Sequence, residues 1–355
     1  MFRQLIINPG STSTKIAIFQ DEDIVCETSL RHSVEDLKGF DSIYDQLDFR
    51  KDLILKELKD KGIDLKTLDC VVGRGGLLKP IESGTYEVND LMLDHLKEGH
   101  LGEHASNLGA LLAREISKGL DIKSYIVDPV VVDELEDVAR ISGLKDIPRI
   151  SIFHALNQNA IARKHATLNN KKYEDMNLIV VHLGGGISVG AHKKGRVVEC
   201  ANALNGDGAF SPERSGALPV GDLIKLSYSG KYTYEELKKR LTGQGGLVSY
   251  LNTNDAREVV ARINAGDEYA RLIYYAMAYQ TAKEIGAMAT VLHGQVDGIL
   301  LTGGIAYDSM FTDWISEIVK FISEIYIYPG EDELKALAQG GLRILKGEEK
   351  PKVYE

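Results

Sequence analysis

The sequence predicts an α/β protein of two domains, and three observations carry that expectation. Short runs rich in β-branched residues alternate with stretches of helical periodicity. A strand–turn–strand unit at the N-terminus recurs in mid-chain. The 355 residues suffice for two domains, each with its own core.

Leu5, Ile6 and Ile7 drop into Asn8-Pro9-Gly10-Ser11-Thr12-Ser13-Thr14-Lys15, and the apolar run resumes as Ile16, Ala17 and Ile18, which predicts strand, tight turn, strand. Small side chains would let backbone N–H groups close on anionic oxygens, Ser11, Thr12, Ser13 and Thr14 would add hydroxyl donors, and Lys15 a compact positive charge. An ordinary polar hairpin is the plainer reading of this stretch alone. A strand over 24–28 and an amphipathic helix through Leu47, Leu53, Ile54 and Leu58 follow. The next apolar run, Asp69 to Val72, enters Gly73-Arg74-Gly75-Gly76, placing an arginine on a glycine loop where a strand stops.

His100-Leu101-Gly102-Glu103-His104 matches the H-x-x-E-H spacing of one zinc peptidase class, which requires a rigid helix. Gly102 sits inside that would-be turn, and helical periodicity begins only with Leu108, Leu111, Leu112 and Ile116. His104 is therefore read as a polar residue at a helix start, facing a cleft. Strand 124–127 ends in Asp128-Pro129, and Ser151-Ile152-Phe153 predicts a strand leading through His154 into a helix with Leu156, Ala160 and Ile161.

Leu178 to Val181 run into His182-Leu183-Gly184-Gly185-Gly186-Ile187-Ser188 and resume as Val189-Gly190-Ala191, repeating the N-terminal unit. Successive glycines allow a backbone approach that any Cβ would block, which suits a diphosphate. From Asn202 a long polar loop carries a second arginine, Arg214, within Ser211-Pro212-Glu213-Arg214-Ser215-Gly216, before helical patterns return near Asp222. The apolar, Tyr- and Ala-rich stretch from Asp267 to Leu292 predicts a helix buried as plain core. A third glycine turn, Thr302-Gly303-Gly304-Ile305-Ala306, follows strand 298–301 and precedes a helix with Trp314, Ile315, Ile318, Val319 and Ile322 on one face. The C-terminus brings Glu331-Asp332-Glu333 to the start of a last helix, where acids are ordinary dipole partners.

Composition narrows the class. With 52 acidic against 42 basic residues the net charge is −10, which argues against binding nucleic acid or an anionic membrane, so an anionic substrate must be met by local cations. Cys26, Cys70 and Cys200 are odd in number, widely spaced and without a CxxC, against a disulfide framework or structural zinc and in keeping with a cytoplasmic protein. Neither a signal peptide nor a transmembrane helix is expected. A dinucleotide-binding oxidoreductase would want G-x-G-x-x-G on a strand-to-helix turn, whereas Gly184 to Gly186 continue into a strand.

Together, INPGSTSTK at 7–15, VVGRGG at 71–76, EHASNLG at 103–109, VDP at 127–129, SIFHALNQ at 151–158, HLGGGIS at 182–188, SPERSG at 211–216, LTGGIA at 301–306 and PGEDEL at 329–334 resemble the acetate/butyrate kinase family. That family lies within the superfamily of acetate and sugar kinases, heat-shock chaperones and actin, and the local sequences around Arg74, Asp128 and His154 are most similar to its butyrate branch. The resemblance implies two duplicated ribonuclease H-like domains, each a mixed β-sheet flanked by helices, with an interdomain cleft for ATP and a carboxylate. The domains would be 1–153 with the C-terminal helix 333–355, and 154–332.

Position by position, the resemblance makes Asn8, Ser11, Ser13 and Lys15 a first phosphate loop, His182 with Gly184, Gly185 and Gly186 a second, and Gly303, Gly304 and Ile305 an adenosine loop. It makes Arg74, Asp128, His154 and Arg214 catalytic, Arg74 and His104 carboxylate-binding, and Asn8 with Asp332 and Glu333 the seat of Mg2+. Gly185 stands where acetate kinases carry Asn, and the acidic triplet leaves open which carboxylate takes the metal. The implied activity is reversible transfer of a phosphoryl group from ATP to butyrate, with isobutyrate, other branched acids or acetate as alternatives and a homodimer or larger homo-oligomer as the assembly. An actin-like or chaperone-like ATP-binding protein would share the nucleotide loops but would not need Arg74, Asp128, His154 and Arg214 together.

Overall fold

The computed structural model describes residues 1–99 and 102–355, which form two compact units: 1–132 with 332–355, and 133–331. The boundaries expected from the sequence fall at 153/154 and 332/333. Residues 133–153 go with the second unit because they are tied to one of its edge strands, Arg196–Cys200. Glu134 accepts the Val197 N–H at 3.0 Å, the Glu136 N–H donates to Val198 O at 3.1 Å, and Arg149 pairs with Glu199 at 2.8 Å.

In the first unit, β1 (Arg3–Pro9), β2 (Ser13–Gln20) and β3 (Asp23–Arg31) form an antiparallel meander. Then β4 (Cys70–Arg74) and β6 (Lys123–Val127) add in parallel, with the short β5 (Thr85–Glu87) at the edge, giving the order β3-β2-β1-β4-β6-β5. The near-continuous apolar runs of β1 and β4 are what a strand covered on both faces requires. One face packs against helices Leu47–Asp60 and Asn107–Lys118 through Leu5, Ile7, Ile54, Leu58, Leu108 and Leu112. The chain returns to this unit as helix Glu333–Leu345, where a Cβ on Gly340 or Gly341 would strike Val127 or Gln4.

The second unit repeats the plan. β7 (Asn177–Leu183), β8 (Ile187–Lys193) and β9 (Arg196–Cys200) form an antiparallel meander, and β10 (Gly298–Gly303) and β11 (Ile325–Pro329) add in parallel, giving β11-β10-β7-β8-β9. Strand for strand this is the order of the first unit without its extra edge strand, the topological mark of a duplication. The core on one face is built from β7, β8 and β10 against helices Glu268–Val291 and Ser309–Val319.

Three expectations need correction. Ser151–Phe153 is not a strand: Ser151 Oγ bonds Cys200 Sγ at 3.3 Å, so a side chain rather than a ladder pins this segment, and helix Ala155–Leu168 follows with His154 as its N-cap residue. Helix Glu268–Val291 is only half core, because Tyr269, Leu272, Tyr275 and Tyr279 lie exposed opposite its buried face. The turn hydroxyls do not all face outward, since alternation along β2 sends Thr14 inward while Ser13 and Lys15 share the other face. Among the described residues no helix is long and apolar enough to cross a membrane, and all three cysteines are free.

Candidate active site

In the first unit, strand register gathers the predicted residues. The parallel pairing Ile7↔Gly73 sets Asn8 beside Arg74, and Arg74↔Val127 sets Asp128 one residue beyond. Asn8, Arg74 and Asp128 thus stand at the carboxyl ends of three adjacent parallel strands, the usual ligand position in an α/β sheet. Glu333, in the first turn of the last helix, completes the group: Arg74 donates to Glu333 and to Asn8 Oδ1 (3.3 Å), and Asn8 Nδ2 donates to Glu333 Oε2 at 2.7 Å. Burial by itself would raise the Glu333 pKa, but Arg74, Asn8 and Lys15 together hold it below the usual carboxylate range. Lys15 lies directly across from Asn8 in the β1–β2 ladder.

Asp128 is buried, with Oδ1 accepting from Ser83 Oγ (2.7 Å) and the Gly84 N–H (2.8 Å), and its backbone sits at φ 38°. A non-glycine residue held at positive φ at a strand end is a form of strain that clusters at functional sites. Asp332 caps its helix, accepting the Lys335 N–H at 2.9 Å, while Glu333 is the acid that joins Asn8. His104 is exposed and three residues before helix Asn107–Lys118, its Nδ1 at 2.8 Å from Ser106 Oγ. Partial desolvation and the neighbouring Arg74 cation lower its pKa.

Of the zinc-like spacing, the described residues Gly102, Glu103 and His104 lie outside any helix. Gly99 ends helix Asp90–Glu98 in the left-handed region, Gly102 has φ 107°, and His100 and Leu101 are outside the described residues. Among the described residues no three metal-ligating side chains cluster. The glycines around Arg74 have a packing role: Cβ atoms at Gly73, Gly75 and Gly76 would strike Gly109, Pro129 and Asn107, so their small size reflects close backbone packing and not ligand approach.

Arg50 is not among the residues expected from the sequence. This side chain is completely buried beneath the first turn and donates to Gly10 O (2.8 Å), Ser11 O (3.2 Å), Ser13 O (3.3 Å) and Thr14 Oγ1 (3.0 Å), with Gln46 Oε1 taking the rest of its fork. Burial lowers its pKa to about 10. With its carbonyls drawn inward to a cation, the turn leaves Ser11 exposed and Ser13 half-exposed on the other side. The signal was present, because Arg50 falls on the apolar stripe Leu47, Ile54 and Leu58 of its helix.

In the second unit a cavity of about 880 Å3 is lined by Gly184, Gly185, Gly304 and Ile305, two of the three predicted glycine turns, together with Glu213 and Asp255. Gly303 has φ 92°, and a Cβ there would enter the Leu183 backbone, so only glycine lets β10 turn beside β7. Gly185 differs: a Cβ there would meet nothing nearer than Glu213 at 3.8 Å and would point into the cavity. Over Gly186 lies the Arg214 guanidinium, which any side chain at that position would displace. The 211–216 loop is fastened to the same turn by Ser211 Oγ, which donates to Gly185 O at 2.8 Å.

His182, at the end of β7, and His154 stack with ring centroids 3.8 Å apart and 15° between planes. Asn157 Oδ1 lies 2.8 Å from His182 Nδ1, and Glu331 Oε2 3.5 Å from its Nε2. Of the acidic triplet, then, Glu331 serves the second glycine turn while Glu333 serves the Arg74 group. Asn157, Gln158 and Ser188, the residues bonded to this histidine pair or to one another, were not singled out from sequence although all lie inside motifs that were.

The description "Acetokinase family" applies to a family model matching residues 147–322. Butyrate kinase 1 of Clostridium acetobutylicum is 59% identical over 355 residues, 100% of both chains, and Butyrate kinase 2 of the same organism is 56% identical over 354 residues, 100% of this chain and 99% of that one. The solved acetate kinase of Porphyromonas gingivalis superposes with a TM-score of 0.82 at 18% identity, over 97% of this chain and 100% of that one, and has the same two-domain fold. Identity at this level along the whole length, on a fold with two sheets of one topology, means that the chain belongs to the acetokinase family and is a carboxylate kinase.

Proposed function

We propose that this kinase phosphorylates butyrate, passing the γ-phosphoryl group of ATP reversibly to the carboxylate. An oxygen of butyrate forms a bond to the γ-phosphorus, the bond from that phosphorus to the β,γ-bridging oxygen breaks, and ADP leaves with the electron pair. No general base is needed, because a carboxylic acid of pKa about 4.5 is already ionised at neutral pH. The task left to the protein is positioning and charge neutralisation.

The observation that supports the reading most is the Asn8–Arg74–Glu333 group at the carboxyl ends of β1 and β4. Arg74 would hold the carboxylate, with His104 near it. Asn8 and Glu333 offer the oxygen donors that suit Mg2+, an ion that keeps several waters and takes phosphate oxygens as its remaining ligands. Bound there, Mg2+ would neutralise charge on the phosphates. Ser11, Ser13 and Lys15 would bind phosphate oxygens on the first turn, Gly184, Gly185 and Gly186 with His182 on the second, while Gly303, Gly304 and Ile305 would border the adenosine. His154 and Arg214 would bear on the transferring phosphoryl group, and Asp128 would act through the ion's waters.

A hydroxamate assay for acyl phosphate with ATP and butyrate tests the reaction, and Arg74→Ala tests the site. Losing the carboxylate's cation should raise the KM for butyrate and cost about 10²-fold in kcat/KM. Wild-type kinetics in that variant would remove Arg74 from its role.

A further inference from the structure

We propose that Ser188 and Gln158 are positioning residues that hold His154 in the tautomer carrying its proton on Nε2, through a one-directional chain of hydrogen bonds reaching back to Tyr173. The proposal rests on the reading that His154 bears on the transferring phosphoryl group. Its geometry stands apart from that reading.

The direction of the chain follows from atoms whose role is not open to choice. Ser188 O is a backbone carbonyl and can only accept, so the Gln158 side-chain atom 3.1 Å from it is the amide nitrogen. That turns Gln158 Oε1 toward His192 Nε2, 3.0 Å away, and an amide oxygen can only accept, so His192 is protonated at Nε2. His192 is wholly buried, and desolvation pushes its pKa down to about 3. It is neutral, its Nδ1 is bare, and the Tyr173 hydroxyl at 2.6 Å donates to it.

Followed the other way, the Gln158 amide also donates to Ser188 Oγ at 2.9 Å, and the His154 backbone N–H points to the same oxygen at 3.4 Å. Both lone pairs of the hydroxyl are then engaged by N–H donors. Its one proton is left for His154 Nδ1, 2.8 Å away. An Nδ1 that accepts leaves the ring proton on Nε2, so the imidazole offers an N–H from its far edge, as a donor to a phosphoryl oxygen must. Tyr173, His192, Gln158, Ser188 and His154 all donate in one sense, the arrangement in which successive bonds polarise one another. Stacking on His182 fixes the plane of the ring, and the chain fixes which nitrogen is protonated.

The test uses full-length protein labelled with 15N-histidine, with ring resonances recorded by two-bond correlation and His154 assigned by its loss in His154→Asn. Wild type should show the Nε2–H pattern. Ser188→Ala and Gln158→Leu should lose it in favour of mixed tautomers and lower kcat about ten-fold, the worth of one hydrogen bond, while the KM for ATP moves less than about two-fold. Ser188→Thr, which restores the hydroxyl, should recover both the pattern and kcat. A purely structural role would depress thermal stability without moving the tautomer. An Nδ1–H pattern in wild type, or variants that keep Nε2–H or keep kcat, would overturn the proposal. If His154→Asn retains full activity, the phosphoryl role of His154 fails, and the ring spectra still report on the chain by themselves.

Discussion

Replacing Arg50 with methionine keeps most of the buried aliphatic volume and removes the fork. Four bonds to the first turn are lost, to Gly10 O, Ser11 O, Ser13 O and Thr14 Oγ1. At about 1 kcal/mol net each they sum to about 4 kcal/mol, and relief of the guanidinium's desolvation returns part of that, leaving a loss of about 2–3 kcal/mol. Arg50→Lys should be nearly as damaging, because one ammonium cannot span carbonyls that a planar fork reaches together. Urea unfolding at pH 7 reads the stability, and calorimetric titration reads the ligand: ATP should bind more weakly, while adenosine, which has no phosphate, should bind as to wild type. A variant within about 0.5 kcal/mol of wild type with unchanged ATP affinity would refute the bracing role.

Other expectations follow from single sites. Gly185→Val should fold normally and weaken ATP binding, because its side chain enters the cavity, whereas Gly303→Ala should lose several kcal/mol of stability through positive φ and the clash with Leu183; circular dichroism melts with ATP titration separate the two. Burial pushes the Cys200 thiol up to about 12 and the Cys70 thiol up as well, so a chromogenic disulfide reagent at pH 8 should titrate Cys26 alone before denaturant and all three thiols after it. The depressed His192 pKa has a defined sign: between about pH 6.5 and about pH 3 the unfolded chain binds a proton that the folded one refuses, so acidification through that window lowers stability by up to ~1.4 kcal/mol per pH unit. Urea midpoints at pH 7, 6, 5 and 4 should flatten in His192→Gln, and equal slopes for variant and wild type would contradict the assignment.

Strand-ending residues were legible because apolar runs and glycine turns mark where a strand stops. Asn8, Arg74, Asp128 and His182 stand at such stops, and the turn repeated in the sequence recurs in two sheets of matching strand order. What sequence could not supply was partnership across long separations. Nothing local tells that Asp332 caps a helix while Glu333, one residue on, meets Asn8 and Arg74 from the other end of the chain. Glycines carry less than they suggest: those at 73, 75 and 76 mark the arginine loop in the sequence and, in the fold, pack against Gly109, Pro129 and Asn107. Ser188, Gln158 and His192 were invisible for a third reason, since buried polar chains leave no periodicity, and only distances disclose their sense.

Substrate preference tests the central claim most directly. Values of kcat/KM should be measured for acetate, propionate, butyrate and isobutyrate at saturating MgATP. Two further methylenes buried at about 0.8 kcal/mol each favour butyrate over acetate by roughly tenfold, so the account predicts a rise along the series to butyrate, with isobutyrate close to it. A clear maximum at acetate would contradict the assignment to butyrate, and acyl phosphate formed from none of the four acids would contradict the proposed reaction itself.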